Sequence, residues 1–301
     1  MNRRTFLQTS SSLAGALLIA PTETLARVAR ATPSPDLKRI APPKDRAIKV
    51  AFLISEPVQV IDFTGPWEIF SQVFDPVREM PAFELFTVSR KKSTIKATGG
   101  LKLVPDYTFA EAPQPDIVVV PAQGDDSEQV MNWLRTVNKH TQVTMSVCTG
   151  AFLLAKAGLL DGLEATTFHS AYKLLAADHP KVKVKKQVRY IDNGHIATSS
   201  GLSAGIDLAL HVVARYYGHE VADQTAATLE YVGYGWKNPM DTGDLFERIA
   251  AQRKGPICPV CDMGPVGKEI SFVYKGTTHY FCSDSCLKKF NAAPEKFLDP
   301  S

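Results

Sequence analysis

A cysteine at the end of an apolar run is the first residue with chemistry to offer. Val143-Thr144-Met145-Ser146-Val147 reads as a buried strand, and Cys148-Thr149-Gly150 then gives way to the helix-forming Ala151-Phe152-Leu153-Leu154-Ala155. A strand that turns sharply into a helix projects its corner side chain at the carboxyl edge of the sheet, where open α/β folds hold ligands. The free N–H groups and partial positive charge of the helix start favour thiolate, the nucleophilic form, over thiol. The plain alternative is a small buried side chain with no chemistry.

The other four cysteines lie together near the C-terminus. Cys258-Pro-Val-Cys261 has the spacing of half a thiolate metal site, and Cys282-Ser-Asp-Ser-Cys286 returns its second thiol one helical turn after the first. Four such thiolates suit a tetrahedral soft-metal site, with zinc the structural default. Two disulfides are the alternative. His279 is either a spare ligand or an ordinary strand residue.

The surrounding pattern supplies elements to hold these groups. Apolar runs over 48–54, 83–88, 116–120 and 141–147 read as strands. Helices are expected from Gly65-Pro66 through Val73, over 127–138 with Ser127 as N-cap, over 168–177, from Ser203 to Tyr217 with Gly218 as cap, and over 220–229. Residues 182–191 and 195–198 pair as strands about the turn Asp192-Asn193-Gly194. Strands alternating with helices predict a doubly wound, mainly parallel sheet covered on both faces. The run Lys181, Lys183, Lys185, Lys186 and Arg189 alternates with valines and reads as the wet face of a strand. Asp207, in the first turn of its helix, reads as complementing the dipole or as ion-paired.

Domain organisation follows. Residues 1–31 form a leader, 32–46 a proline-rich flexible spacer, 47–232 the α/β domain, 233–256 a linker with a short helix near 245–251, and 257–299 a separate four-cysteine unit. The net charge of +3 is ordinary and no stretch is basic enough for a nucleic-acid footprint. The leader begins Asn2-Arg3-Arg4-Thr5-Phe6-Leu7 and its apolar stretch, Leu13 to Ala20, is far below the ~20 residues that span a bilayer. It resembles a twin-arginine export signal ending near Ala29-Arg30-Ala31. The expected partners are therefore the twin-arginine export machinery, a small-molecule substrate or ligand and a metal ion. The expected location is periplasmic or extracytoplasmic, with no membrane span in the mature chain.

Several motifs in order carry a family resemblance. They are Asp62-Phe63-Thr64-Gly65-Pro66-Trp67-Glu68-Ile69-Phe70, Asp116 to Pro121, Ser146 to Gly162, Ala165 to His169, and Ser200 to Asp207. Together they resemble the DJ-1/PfpI superfamily, specifically its isonitrile-hydratase-like branch. That implies a flavodoxin-like fold with a nucleophile elbow, and no cofactor for the α/β domain. It also implies Cys148 as nucleophile, Asp62 as the acid or base beside it, Thr149 as hydrogen-bond donor, and Gly124, Thr149 and Gly150 about the substrate oxyanion. The superfamily often dimerises, so a homodimer is implied.

The chain departs from the pattern at three places. Thr149 stands where the protease-like branch has histidine, which argues against peptidase activity. Ala122-Gln123-Gly124 replaces the usual Gly-Gly turn, and Phe168 is inserted before His169. The tail, CPVCDM and YFCSDSCLKKFNAAPEKFL, resembles the YHS/TRASH metal-binding domains. That implies a treble-clef-like unit holding zinc or copper at Cys258, Cys261, Cys282 and Cys286. The enzyme reading thus stands beside a ligand- or metal-sensing one. Transcription regulators of the superfamily carry a helix-turn-helix region where this chain has its cysteine tail, so direct gene regulation is not expected.

Overall fold

The structure, a computed structural model, describes residues 37–298. The expected leader and the first part of the spacer lie outside the described residues. Seven strands form the main sheet: β1 (Ile48–Leu53), β2 (Phe83–Ser89), β3 (Tyr107–Thr108), β4 (Ile117–Val120), β5 (Val143–Val147), β6 (Tyr190–Asp192) and β7 (Ile196–Ser199), in the order β6-β7-β5-β4-β1-β2-β3. All neighbours are parallel except the β6–β7 hairpin. This is the flavodoxin-like doubly wound sheet. The chain winds outward from β1 to β2 and β3, then crosses back to β4, so the switch point lies between β1 and β4.

Burial of every residue in β4 and β5 explains their unbroken apolar character. Alternate residues of the central strands face opposite cores. Phe52, Val119 and Met145 pack on one side with helices α1 (Val60–Ser71) and α5 (Ala204–Tyr217). Leu53, Val118 and Val120 pack on the other with α2 (Glu128–Val137) and α3 (Gly150–Lys156). Helices α4 (Tyr172–Asp178), α6 (His219–Thr228) and α7 (Leu245–Gln252) complete the α/β part. No helix among the described residues is long and apolar enough to cross a membrane.

Five sequence expectations need correction. Helix α1 starts at Val60, so Pro66 sits inside it rather than in its first turn. Helix α4 starts at Tyr172, because 166–171 form a loop over the elbow. The stretch 182–191 is not one strand. Lys183–Val184 pairs in parallel with Glu164–Ala165, Gln187 has a positive φ, and only Tyr190–Asp192 enters the main sheet. Residues 37–46 are pinned rather than loose: Ile40 N–H donates to Arg215 O at 2.9 Å, and Arg215 Nε to Lys38 O at 2.9 Å. The expected linker begins inside the α/β core. Trp236 is buried, and Arg189 N–H donates to Pro239 O at 2.7 Å.

The tail is a knuckle, a hairpin and a helix. Cys258 and Cys261 flank a tight turn in which Cys258 N–H donates to Met263 O and Asp262 N–H to Cys258 O. The hairpin β8 (Ser271–Tyr274) and β9 (Thr277–Tyr280) leads into α8 (Asp284–Ala292), whose N-cap Ser283 accepts from Cys286 N–H at 3.2 Å. Phe281, Phe290, Phe297 and Val260 form its small core, with Leu174 and Ala177 of α4 packed against it. Ion pairs Lys173–Asp262 and Lys289–Asp178 join the two surfaces.

Candidate active site and metal centre

Cys148 is the corner between β5 and α3, held at φ 58°. An L-residue in the left-handed region is strained, and the surrounding bonds fix it there. Cys148 N–H donates to Ser200 O at 3.1 Å, and Thr167 Oγ1 donates to Cys148 O at 2.8 Å. Gly150 lets the corner close: a Cβ there would lie 2.0 Å from Val120 O. The thiol is 6% exposed.

Asp62 reaches the same place from the first turn of α1. It is fully buried and is not a helix cap. Ala122 N–H donates to its Oδ2 at 3.1 Å, while Oδ1 has no partner. Burial pushes the Asp62 carboxyl up to about 6, against the pull of the Ala122 N–H and the Cys148 thiol. Burial and then the Asp62 charge push the thiol up to about 12, against the Thr149 and Leu202 N–H groups and the Thr149 hydroxyl. The pull of the helix start toward thiolate is therefore outweighed. The dipole of a seven-residue helix loses to desolvation and a neighbouring carboxylate. The proton rests on sulfur, with the Asp62 carboxyl beside it.

The structure thus brings Cys148, Asp62 and Thr149 together. It adds Leu202, which sequence reasoning missed; its φ of 51° turns its N–H toward the sulfur. The only sequence sign was the Gly201-Leu202-Ser203 turn before a helix. Gly124 lines a polar groove of about 360 Å³ with Ser55 and Arg90. The amide of Gln123, in the departing turn, is buried at both Nε2 and Oε1 without a partner. Inserted Phe168 lies over Gly201, where a Cβ would meet its ring at 2.3 Å, and its ring centroid is 4.1 Å from that of His169. Burial and then the Arg253 charge hold His169 below its ordinary pKa. Arg189 is no wet-face residue. Its guanidinium pairs with buried Asp207 at 2.5 Å, which settles Asp207 as ion-paired.

In the tail, the sulfurs of Cys258, Cys261, Cys282 and Cys286 lie within 4.8 Å of one another. Cys282 Sγ is 3.5 Å from both Cys261 Sγ and Cys286 Sγ. A disulfide needs about 2.05 Å, whereas thiolates about 2.3 Å from one tetrahedral ion stand roughly 3.8 Å apart. All four are free, so the arrangement fits a metal and departs from the disulfide alternative. The hydrogen bond from Cys261 draws the Cys258 thiol down, and the same contact pushes Cys261 up. Further thiolates in so small a space require a cation. His279 stands apart from the four, its ring 5.2 Å from that of Phe290.

Comparison with known proteins gives two family matches. The DJ-1/PfpI family profile matches residues 48–215, and the YHS domain profile matches 257–301. The isonitrile hydratase of Pseudomonas putida is 31% identical over 202 residues, covering 65% of this chain and 83% of that protein. The HTH-type transcriptional regulator GbdR of Pseudomonas aeruginosa is 27% identical over 186 residues, and the match spans 50% of its length. A THiJ/PfpI family protein from Pseudomonas syringae superposes with a TM-score of 0.57 at 23% identity, covering 72% of this chain and 89% of that one. DJ-1beta of Drosophila melanogaster gives 0.54 at 15% identity, covering 62% and 100%. These two structures share the fold.

Proposed function

The chain belongs to the DJ-1/PfpI family and carries a YHS domain, and from that premise we propose that it is an exported, cysteine-dependent enzyme that hydrates a small isonitrile. The observation that carries this reading is the buried pair of Asp62 carboxyl and Cys148 thiol, with the Thr149 and Leu202 N–H groups turned toward the sulfur. The 31% identity to an isonitrile hydratase supports the substrate class. The reading of residues 1–31 as a twin-arginine signal supports export.

The chemistry follows from where the proton rests. As the sulfur adds to the terminal carbon of R–N≡C, its proton passes to Asp62. Asp62 then protonates the former isonitrile carbon, leaving a thioimidate, S–CH=N–R. Asp62 next takes a proton from water as its oxygen adds to that carbon and delivers it to the nitrogen; the adduct's hydroxyl proton then passes through Asp62 to the sulfur as the C–S bond breaks. The product is the formamide R–NH–CHO, the thiol regains its proton, and the sum is addition of one water. Thr149 and Leu202 steady the negative sulfur on entry and departure. Purified protein is expected to convert a simple alkyl isonitrile to its formamide, and Cys148→Ala to abolish this. Conversion surviving in that variant would remove the mechanism.

For the tail, Cys258, Cys261, Cys282 and Cys286 hold a single thiophilic metal ion, zinc by preference and copper(I) as the alternative. Bound there, the ion supplies structure and no reactive ligand position. A second reading, a non-enzymatic ligand or metal sensor, draws on the raised Cys148 thiol and on the kinship with transcriptional regulators. Absence of turnover alongside saturable ligand binding at the Cys148 site would favour it.

A further inference from the structure

A cleft of about 240 Å³ lies between the α/β part and the tail, and the Cys148 chemistry makes no use of it. At about 30 Å³ each it has room for roughly eight waters, the size of a one-ring organic acid. Its apolar lining is the Phe168 ring, Ile249 and the thioether of Met263. Thioethers and aromatic edges attract one another, so this lining suits a planar ring.

The cleft also holds a cation. Arg253, at the end of α7, is half-buried in the cleft and makes no ion pair among the described residues. The carboxyl lining the cleft, Asp262, is already held by Lys173 at 3.1 Å. His169 adds an uncharged imidazole, and Gln252 an amide at the rim. A guanidinium fork without an ion-pair partner, sharing a cleft with an aromatic ring, is complementary to an anion on an apolar body.

We propose that this cleft binds a small aromatic carboxylate, its carboxylate on the Arg253 guanidinium and its ring against Phe168 and Met263. The site is independent of turnover at Cys148. It is nonetheless placed to report on both halves of the molecule. Phe168 also packs on Gly201, next to the Leu202 N–H that faces the sulfur, and Met263 O accepts the Cys258 N–H.

The test is calorimetric titration of the full metal-loaded chain with benzoate and with benzamide, its uncharged isostere. Benzoate should bind once per chain, and benzamide at least about tenfold more weakly. Arg253→Gln should reduce benzoate to the benzamide level, while Lys254→Gln, an exposed neighbour, should leave it unchanged. Equal binding of benzoate to the parent and to Arg253→Gln would overturn the proposal, as would no saturable benzoate binding up to about 10 mM. The benzoate-to-benzamide ratio in the parent protein tests it without any variant; a ratio of one overturns it.

Discussion

The carboxyl of Asp62 and the thiol of Cys148 share one buried space, and between them they keep a single proton at neutral pH, on the sulfur. Burial holds the first at about 6 and pushes the second up to about 12, where the Asp62 charge adds to the effect of burial. Asp62→Asn removes that charge while keeping an acceptor for the Ala122 N–H. Its thiol should therefore ionise at lower pH, by about one pH unit or more, even as hydration falls by roughly 10²–10⁴. The rate of iodoacetamide capture by Cys148 across pH reads the first effect, and formamide yield the second. An unchanged capture profile would separate the two groups.

The same carboxyl makes the fold weaker as pH rises. In the unfolded chain Asp62 loses its proton near 3.8, and in the folded chain near 6. Below both values it is protonated in either state and costs nothing. Between them the folded state binds a proton that the unfolded state has lost, so stability falls with pH. Above about 6 the full cost is present, roughly 3 kcal/mol. Asp62→Asn should accordingly stabilise the protein at pH 7.5 by about 2 kcal/mol and by little at pH 4. Urea midpoints at the two pH values check this, and an equal gain at both would refute it.

Gln123 offers a cheaper probe of the departing turn. Its amide is buried at both atoms without a partner, which ordinarily costs about 1–3 kcal/mol. Gln123→Leu should be neutral or stabilising by about 1 kcal/mol in urea. If the amide serves the substrate, KM for the isonitrile rises several-fold in that variant with kcat nearly kept. A clear loss of stability would show that the amide already has a structural partner.

What sequence could and could not reveal divides along physical lines. The corner at Cys148 and the spacing of the tail cysteines were legible because each is a local pattern: an apolar run, a small residue, a helix former, or two thiols a fixed step apart. The contact of Asp62 with Cys148 is not local. It depends on α1 beginning at Val60, which the proline at 66 disguised. Arg189 looked like one more cation in a basic run, but its neighbour Asp207 draws it inward. Leu202 has only the turn Gly201-Leu202-Ser203 to mark it, and a turn does not say that a leucine adopts a positive φ. The thiol's ionisation is hidden from the sequence for a related reason. Helix position is visible in a sequence, whereas desolvation is a property of the assembled core.

Gly150 is required by space at the elbow. Any Cβ there falls 2.0 Å from the carbonyl oxygen of Val120, in a central strand that cannot swing away. Gly150→Ala should cost about 3 kcal/mol or more and displace Cys148. Gly158 is the contrast. Its φ of 79° strains an alanine, but nothing lies within 4 Å of the added carbon. Gly158→Ala should cost only about 1 kcal/mol. Urea midpoints of the two variants should differ by about 2 kcal/mol, and similar values would remove the steric account of the elbow.

Metal removal should act on the tail and spare the sheet. A unit of about forty residues rarely holds itself together without a disulfide, a metal or a partner. Here the sulfurs are too far apart for disulfides, and the core rests on Phe281, Phe290, Phe297 and Val260 with α4 beneath. Structural zinc contributes roughly 10–16 kcal/mol of apparent binding energy to such units, so its loss should melt β8, β9 and α8. The α/β part keeps two cores of its own. Chelation should therefore expose 257–298 to limited proteolysis while the sheet retains its far-ultraviolet dichroism. Cys282→Ser should lower the metal content and give the same proteolytic pattern without chelator. A tail that stays resistant after its metal content has fallen to zero would show that the fold there does not depend on the ion.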